Sequence, residues 1–169
     1  MDLNRRHLLL SLPAWPLALS ACGWETHPTM PDLPFTQIDG SQHRLGDLKG
    51  KVLVINFWAT SCSTCVKEMP EIVATHHKFH AQGLETLAVA MQYDPPAYVM
   101  SFARTRQLPF RVVMDHTGEL ARSFGPVQLT PTTLVVNRQG EIVKRYIGEP
   151  DFDAMHKLLA RLLAADAKA

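Results

Sequence analysis

Residues 51–65, KVLVINFWATSCSTC, decide the fold of this chain. The run from Lys51 to Phe57 is continuous, apolar and rich in β-branched residues, which predicts a strand buried on both faces of a parallel sheet. Residues 63–80 then place apolar side chains at helical spacing. The sequence therefore predicts a buried strand followed by a helix, with Cys62 and Cys65 at the N-terminus of that helix.

The two cysteines form a Cys-x-x-Cys pair at a position that favours reactive sulfur. The first turn of a helix leaves backbone N–H groups unpaired and carries the positive end of the helix dipole, and both stabilise a thiolate. We therefore predict a lowered pKa for Cys62, attack by Cys62 on a target disulfide, and resolution of the mixed disulfide by Cys65. A structural zinc would need further ligands, and no second cysteine pair exists. A purely structural bridge is disfavoured because so small a loop gains little loop entropy.

The rest of the chain predicts alternating strands and helices around a mixed sheet. The further predicted elements are a hairpin over 35–45 with an Asp39-Gly40 turn, strands over 85–91, 110–114, 132–136 and 141–147, helices over 95–107 and 118–124, and a last helix capped by Asp151. This order predicts an α/β fold of the sandwich type, with a mixed central sheet flanked by helices.

Two polar groups on the first helix are interpreted as surface features. The stretch from Glu68 to Glu71 is most simply a solvated helix turn with a kink at Pro70. His76 and His80 are four residues apart and could meet a metal, but a solvated or half-buried helix face is the favoured interpretation because no acidic or thiol ligand is obviously nearby. No metal site is predicted.

A second motif, Thr130-Pro131-Thr132, directly precedes a predicted strand. A proline here brings neither a hydrogen-bond donor nor a metal-binding side chain into a redox pocket. We predict a cis peptide bond between Thr130 and Pro131, since cis bonds are almost confined to proline.

These two motifs, in this order, resemble those of the thioredoxin superfamily, specifically the TlpA/ResA-type periplasmic thiol–disulfide oxidoreductases. Residues 54–65 resemble the active-site strand and helix start of that family, and residues 131–141 resemble its cis-proline segment. Residues 95–125 resemble its helix–strand insertion, and the resemblance covers about residues 33–165. It implies a thioredoxin-like three-layer sandwich, a protein-disulfide oxidoreductase activity, and no cofactor.

The resemblance also implies direction, partners and supporting residues. It favours reduction of disulfides in exported proteins, with apocytochrome c or a copper-site cysteine pair as possible substrates and an upstream membrane electron donor. Active-site support is expected from Trp58, Asn56, Thr130 and Pro131, which are the residues of the two motifs that flank the cysteine pair. Asn56 stands where thioredoxin has a buried aspartate, and an amide cannot serve as a carboxylate base. Some relatives carry a proton-handling glutamate after the second strand; here Tyr93 and Asp94 stand there, and neither is assigned a role.

The N-terminus resembles a bacterial export signal. Arg5 and Arg6 precede an apolar run that is short and broken by prolines, which is typical of a cleaved signal and not of a permanent span. Leu19-Ser-Ala-Cys22 resembles a lipobox, so Cys22 is the predicted site of lipid attachment; twin-arginine and Sec export stay open, as does the choice of membrane. The predicted divisions are a signal peptide over 1–21, a tether over 22–34 and one thioredoxin-like domain over 35–169. The predicted location is the periplasm, with a lipid anchor in a bacterial membrane.

The net charge argues against one class of function, and the residues around the cysteine pair leave three alternative functions to consider. The net charge of +1 gives no electrostatic case for nucleic-acid binding, and we expect a monomer. A copper-binding chaperone similar to the Sco proteins would use Cys-x-x-x-Cys, one residue more than this pair. A peroxiredoxin-like peroxidase would have a threonine where Ala59 stands and a proline after Cys62. A structural lipoprotein would have an unreactive Cys62–Cys65 bond.

Overall fold

A computed structural model describes residues 27–165 of the chain. The elements alternate along the chain nearly as the sequence predicts. The strands are β1 Pro34–Thr36, β2 Gln42–Arg44, β3 Val52–Trp58, β4 Leu84–Ala90, β5 Arg111–Met114, β6 Thr132–Val136 and β7 Ile142–Ile147, and the helices are α1 Ser63–Phe79, α2 Pro96–Thr105, α3 Glu119–Ser123 and α4 Phe152–Ala164. No helix within the described residues is both long and apolar enough to cross a bilayer.

The central sheet is mixed and has the strand order β5-β4-β3-β6-β7. Strands β3, β4 and β5 are parallel, which their connections through α1 and α2 require. Strand β6 returns antiparallel to β3, and β7 pairs antiparallel with β6. The all-buried β3 lies at the centre of this sheet, as its continuous apolar sequence predicts.

Alternation along β3 divides the core between the two faces of the sheet. Leu53, Ile55 and Phe57 pack on the face that α3 and the β1–β2 hairpin cover. Val52, Val54 and Trp58 belong to the clusters on the opposite face, against α1, α2 and α4. The structure is therefore the predicted three-layer sandwich, and Asn56 points toward the α1 side by the same alternation.

Part of the predicted tether packs on the domain. Thr29 forms an isolated antiparallel β-bridge with Glu141, and the Met30 N–H donates to the Gly140 carbonyl at 2.7 Å. The Ile142 N–H donates to the Pro28 carbonyl at 2.8 Å, and Met30 is buried in the core. The folded part of the chain therefore begins before the boundary predicted at residue 35. The sequence does not predict this contact, because Met30 lies among prolines in the segment before residue 35, and one methionine makes no pattern.

The first helix differs from the predicted amphipathic pattern. Its buried face comprises Cys65, Glu68, Met69, Ile72, Thr75, His76 and Phe79. Val66 and Val73, two of the apolar residues whose helical spacing predicts the buried face, are only partly buried. The interpretation of Glu68 as a solvated residue is wrong, because its side chain is 0% exposed. His76 is also buried, and it is stacked on His80 with ring centroids 4.5 Å apart.

Candidate active site

Cys62 and Cys65 form a disulfide at the N-terminus of α1, with an S–S distance of 2.16 Å and a Cα–Cα distance of 5.2 Å. Cys62 is the N-cap residue, and its Sγ accepts a hydrogen bond from the Cys65 N–H at 3.1 Å. Cys62 is partly exposed, whereas Cys65 is fully buried. An incoming sulfur can therefore reach Cys62, and Cys65 is placed to react only with its neighbour.

The Thr130–Pro131 peptide bond is cis, as the sequence predicts. Strand β6 begins directly after it, and Thr132 pairs with Phe57 on β3. This register places Pro131 beside the end of β3, from which the chain continues to Cys62. The two motifs, 66 residues apart in sequence (131 − 65), thus lie at the same edge of the sheet.

Trp58 ends β3 and is fully buried. Its ring packs on Phe102 of α2 with centroids 5.0 Å apart, in the apolar cluster that contains Cys65 and borders Cys62. Trp58 therefore lies in the immediate packing environment of the disulfide, where its fluorescence should depend on the redox state.

Beneath the disulfide lies a cluster of three buried polar side chains. Asn56 Nδ2 donates to Glu68 Oε1 and to Thr133 Oγ1, both at 2.9 Å. Glu68 follows Cys65 by one helical turn on the same buried face of α1. Asn56 Oδ1 and Glu68 Oε2 have no partner within residues 27–165. The cluster thus contains one carboxyl group whose charge is poorly compensated.

Burial raises the pKa of Glu68 to about 7, which the hydrogen bond from Asn56 opposes and the charge of Glu149 reinforces. A carboxyl with such a pKa can both give and take a proton near neutral pH. Sequence reasoning missed this residue, although the spacing of Cys65, Glu68 and Ile72 already places all three on one helical face.

Tyr93 and Asp94, which the sequence left without a role, lie at the rim of this site. Both carboxylate oxygens of the buried Asp94 accept hydrogen bonds from Thr60, two residues before Cys62. The exposed Tyr93 reaches the cis-proline segment, with its Oη 3.4 Å from Thr130 Oγ1. The loop after β4 therefore contacts both motifs.

Two further sequence predictions concern a lipid and a metal ion. Cys22 lies outside the described residues, so lipid attachment there stays a prediction. Within residues 27–165, no group of three His, Cys, Asp or Glu side chains is placed to hold a metal ion.

The chain matches the Redoxin family over residues 26–159. The thiol–disulfide oxidoreductase ResA of Bacillus thuringiensis subsp. konkukian (strain 97-27) is 30% identical over 132 residues, covering 78% of this chain and 75% of that protein. ResA of Geobacillus thermodenitrificans (strain NG80-2) is 34% identical over 120 residues, which cover 71% of this chain and 68% of that protein. The solution structure of a provisionally named thioredoxin from Neisseria meningitidis aligns with a TM-score of 0.76 at 35% identity, covering 85% of this chain and 95% of that one. The chain belongs to the Redoxin family, and it is a thioredoxin-like protein-disulfide oxidoreductase of the ResA type.

Proposed function

We propose that this protein works as a reductase for disulfides in exported proteins, with Cys62 as the attacking residue and Cys65 as the resolving residue. One observation carries the assignment of roles: Cys62 is accessible at the N-cap of α1, while Cys65 is buried behind it. Attack requires an accessible thiolate, and the N–H groups of the helix terminus stabilise that thiolate.

The first step forms a mixed disulfide. The Cys62 thiolate of the reduced protein attacks one sulfur of the substrate disulfide, and the substrate S–S bond breaks as the new S–S bond forms. The departing substrate thiolate takes a proton from solvent. Cys62 is then bonded to the substrate, and Cys65 is still a thiol.

The second step releases the reduced substrate. Cys65 loses its proton and attacks Cys62 Sγ, which breaks the mixed disulfide and frees the second substrate thiolate, and this thiolate also takes a proton from solvent. The substrate has gained two electrons and two protons, and the protein has the Cys62–Cys65 disulfide. We assign the proton from Cys65 to Glu68, directly or through water, because Glu68 lies one turn away on the same buried face and has a pKa of about 7.

Turnover requires a second dithiol to reduce the Cys62–Cys65 bond. In the proposed scheme this electron donor is a membrane protein, and the chain is a periplasmic lipoprotein anchored through Cys22. The lipobox at residues 19–22 and the export signal before it support this location. An oxidising compartment supplies the substrate disulfides. The cysteine pair of apocytochrome c and that of a copper site are the two proposed substrate classes.

The deciding experiment is the reduction potential of the Cys62–Cys65 pair in the purified protein. Tryptophan fluorescence would report the redox state in dithiothreitol and glutathione buffers, and a Trp58→Phe variant would show how much of the signal comes from Trp58. We expect a reduction potential of about −270 mV, as for thioredoxin. A value near about −120 mV would make the protein a disulfide donor and overturn the proposed direction.

A further inference from the structure

The register of the parallel strands brings two loops together beside the disulfide. Trp58 pairs with Ala90 at the ends of β3 and β4, and the Met91 N–H donates to the Trp58 carbonyl at 3.0 Å. The chains that leave these strands therefore emerge side by side. One chain leads to Cys62, and the other forms a turn in which the Asp94 N–H donates to the Met91 carbonyl at 2.9 Å.

Asp94 joins these two loops through both of its carboxylate oxygens. Oδ2 accepts the Thr60 backbone N–H at 2.6 Å, and Oδ1 accepts the Thr60 hydroxyl at 2.5 Å. The hydroxyl distance lies in the range of charge-assisted hydrogen bonds from a hydroxyl to a carboxylate. Asp94 is only 2% exposed, so water does not compete strongly for the carboxylate, and losing a donor from Thr60 would leave a buried charge poorly satisfied.

Thr60 is the point through which this contact can act on the nucleophile. The Cys62 N–H donates to the Ala59 carbonyl at 3.1 Å, so residues 59–62 form a tight turn centred on Thr60 and Ser61. Fixing Thr60 fixes this turn, and the turn determines where Cys62 Sγ lies relative to the first N–H groups of α1.

We propose that Asp94 is a positioning residue for the exchange reaction: by binding Thr60 it keeps the Cys62 sulfur at the N-terminus of α1 in the reduced protein. The inference rests on the proposed role of Cys62 as the attacking thiolate. Asp94 acts through the two hydrogen bonds and not through its negative charge, which by itself would oppose thiolate formation.

The test compares Asp94→Ala with Asp94→Asn in the purified, reduced protein. An asparagine can accept the Thr60 N–H through Oδ1 and donate to the Thr60 hydroxyl through Nδ2, so it preserves both contacts without the charge. The alanine removes both. The readout is the pKa of the Cys62 thiol, obtained from the pH dependence of its alkylation rate, with the unfolding midpoint measured in parallel.

We expect Asp94→Ala to raise the pKa of Cys62 by about one unit, which slows alkylation about tenfold at pH values below that pKa. Asp94→Asn should stay within about twofold of the wild type, since the bonding pattern is kept. Thr60→Val, which removes only the hydroxyl bond, should shift the pKa in the same direction by less, and it provides the test if Asp94→Ala does not fold.

Asp115 is the matched control. It is also a buried aspartate after a strand, and its carboxylate accepts two backbone N–H groups, from Leu120 and Ala121. Asp115→Ala should lower stability without moving the pKa of Cys62.

Two results would overturn the proposal. If Asp94→Ala lowers stability but leaves the pKa of Cys62 unchanged, as Asp115→Ala should, then Asp94 only supports the fold. If Asp94→Asn and Asp94→Ala both lower that pKa, then Asp94 acts through its charge. Neither result depends on a substrate, so failure of the wild type to reduce a protein disulfide would be a separate result that concerns the proposed function.

Discussion

Asn56 donates a 2.9 Å hydrogen bond to the carboxyl group of Glu68 in the interior of the domain, and neither side chain is exposed. One residue comes from the central strand β3 and the other from α1, so the contact joins the two elements that present the cysteine pair. The same amide donates to Thr133, which follows the cis-proline by two residues. Asn56 therefore connects the strand, the helix and the cis-proline segment through one side chain.

Replacing Asn56 by alanine should destabilise the protein by about 1–3 kcal/mol, because the buried oxygens of Glu68 and Thr133 lose their donor. It should also raise the pKa of Glu68 further, since the Asn56 hydrogen bond lowers it. Denaturant unfolding checks the first effect. Thr133→Val, which removes one acceptor and leaves the Glu68 contact, should cost less, and equal losses in the two variants would contradict this account.

Glu68 should make the folded protein less stable as the pH rises. Its folded pKa of about 7 lies above the ordinary 4.5, so the folded state binds the extra proton between these values. The stability that this proton contributes is complete below pH 4.5 and is lost as the pH rises to about 7. The free energy of unfolding falls by up to about 3 kcal/mol over this range. Glu68→Gln should remove this loss.

The unfolding free energies of Glu68→Gln and wild type should therefore be compared at pH 5 and pH 8 as a difference between the two proteins. Burial lowers the pKa of His76 and His156, which gives an opposite trend that is common to both proteins. Glu119→Gln, an exposed change on α3 that leaves the surroundings of both histidines intact, is the control. An unchanged wild-type-minus-variant difference across this pH range would contradict the raised pKa.

The rate of exchange should depend on the ionisation of Glu68. As Glu68 ionises near pH 7 it becomes able to accept the Cys65 proton, so resolution of the mixed disulfide should accelerate through that pH. Glu68→Gln should lose this inflection and resolve at least about tenfold more slowly at pH 8. Stopped-flow measurement of the second step checks this, and a profile identical to wild type would remove Glu68 from the mechanism.

Replacing Cys62 and replacing Cys65 by serine should have different effects on the mixed disulfide. Cys65→Ser should accumulate a stable mixed disulfide with a disulfide-bonded substrate protein, because the resolving thiol is missing. Cys62→Ser should form none, since Cys65 is buried. Mass spectrometry under non-reducing conditions distinguishes the two, and trapping through Cys65 would reverse the assigned roles.

Lipid attachment can be tested at Cys22 in the full-length chain expressed in a bacterium. Cys22→Ser should abolish incorporation of labelled fatty acid and leave the membrane fraction without the protein. Cys65→Ser retains the lipobox and should keep the label. Labelling that survives in Cys22→Ser would disprove the predicted anchor.

The sequence predicts the layers well because their signals are local. A continuous apolar run gives β3, helical spacing gives α1, and an Asp39-Gly40 turn, with Gly40 at φ 85°, gives the first hairpin. The Cys-x-x-Cys position follows from the junction of these elements. Each of these inferences needs only neighbouring residues.

The missed features depend on contacts between distant segments. Glu68 looks like a surface residue until Asn56 is placed opposite it, 12 residues earlier on the strand. Asp94 acquires a partner only when the register aligns the ends of β3 and β4. A polar side chain is read as solvated by default, and its burial is decided by the element that covers it.

If Cys22 carries the proposed lipid, the antiparallel bridge between Thr29 and Glu141 limits how far the domain can lie from the membrane. A flexible tether ending at residue 34 would let the domain move about 40 Å from a lipid on Cys22, at roughly 3.5 Å per residue. Because the Pro28 carbonyl already accepts a hydrogen bond from Ile142, only six residue steps would separate such a lipid from the folded domain, and the maximal span would fall to about 20 Å. A protein anchored in this way would exchange electrons only in the layer next to its own lipid headgroups, and the donor and the substrates would have to come to it there.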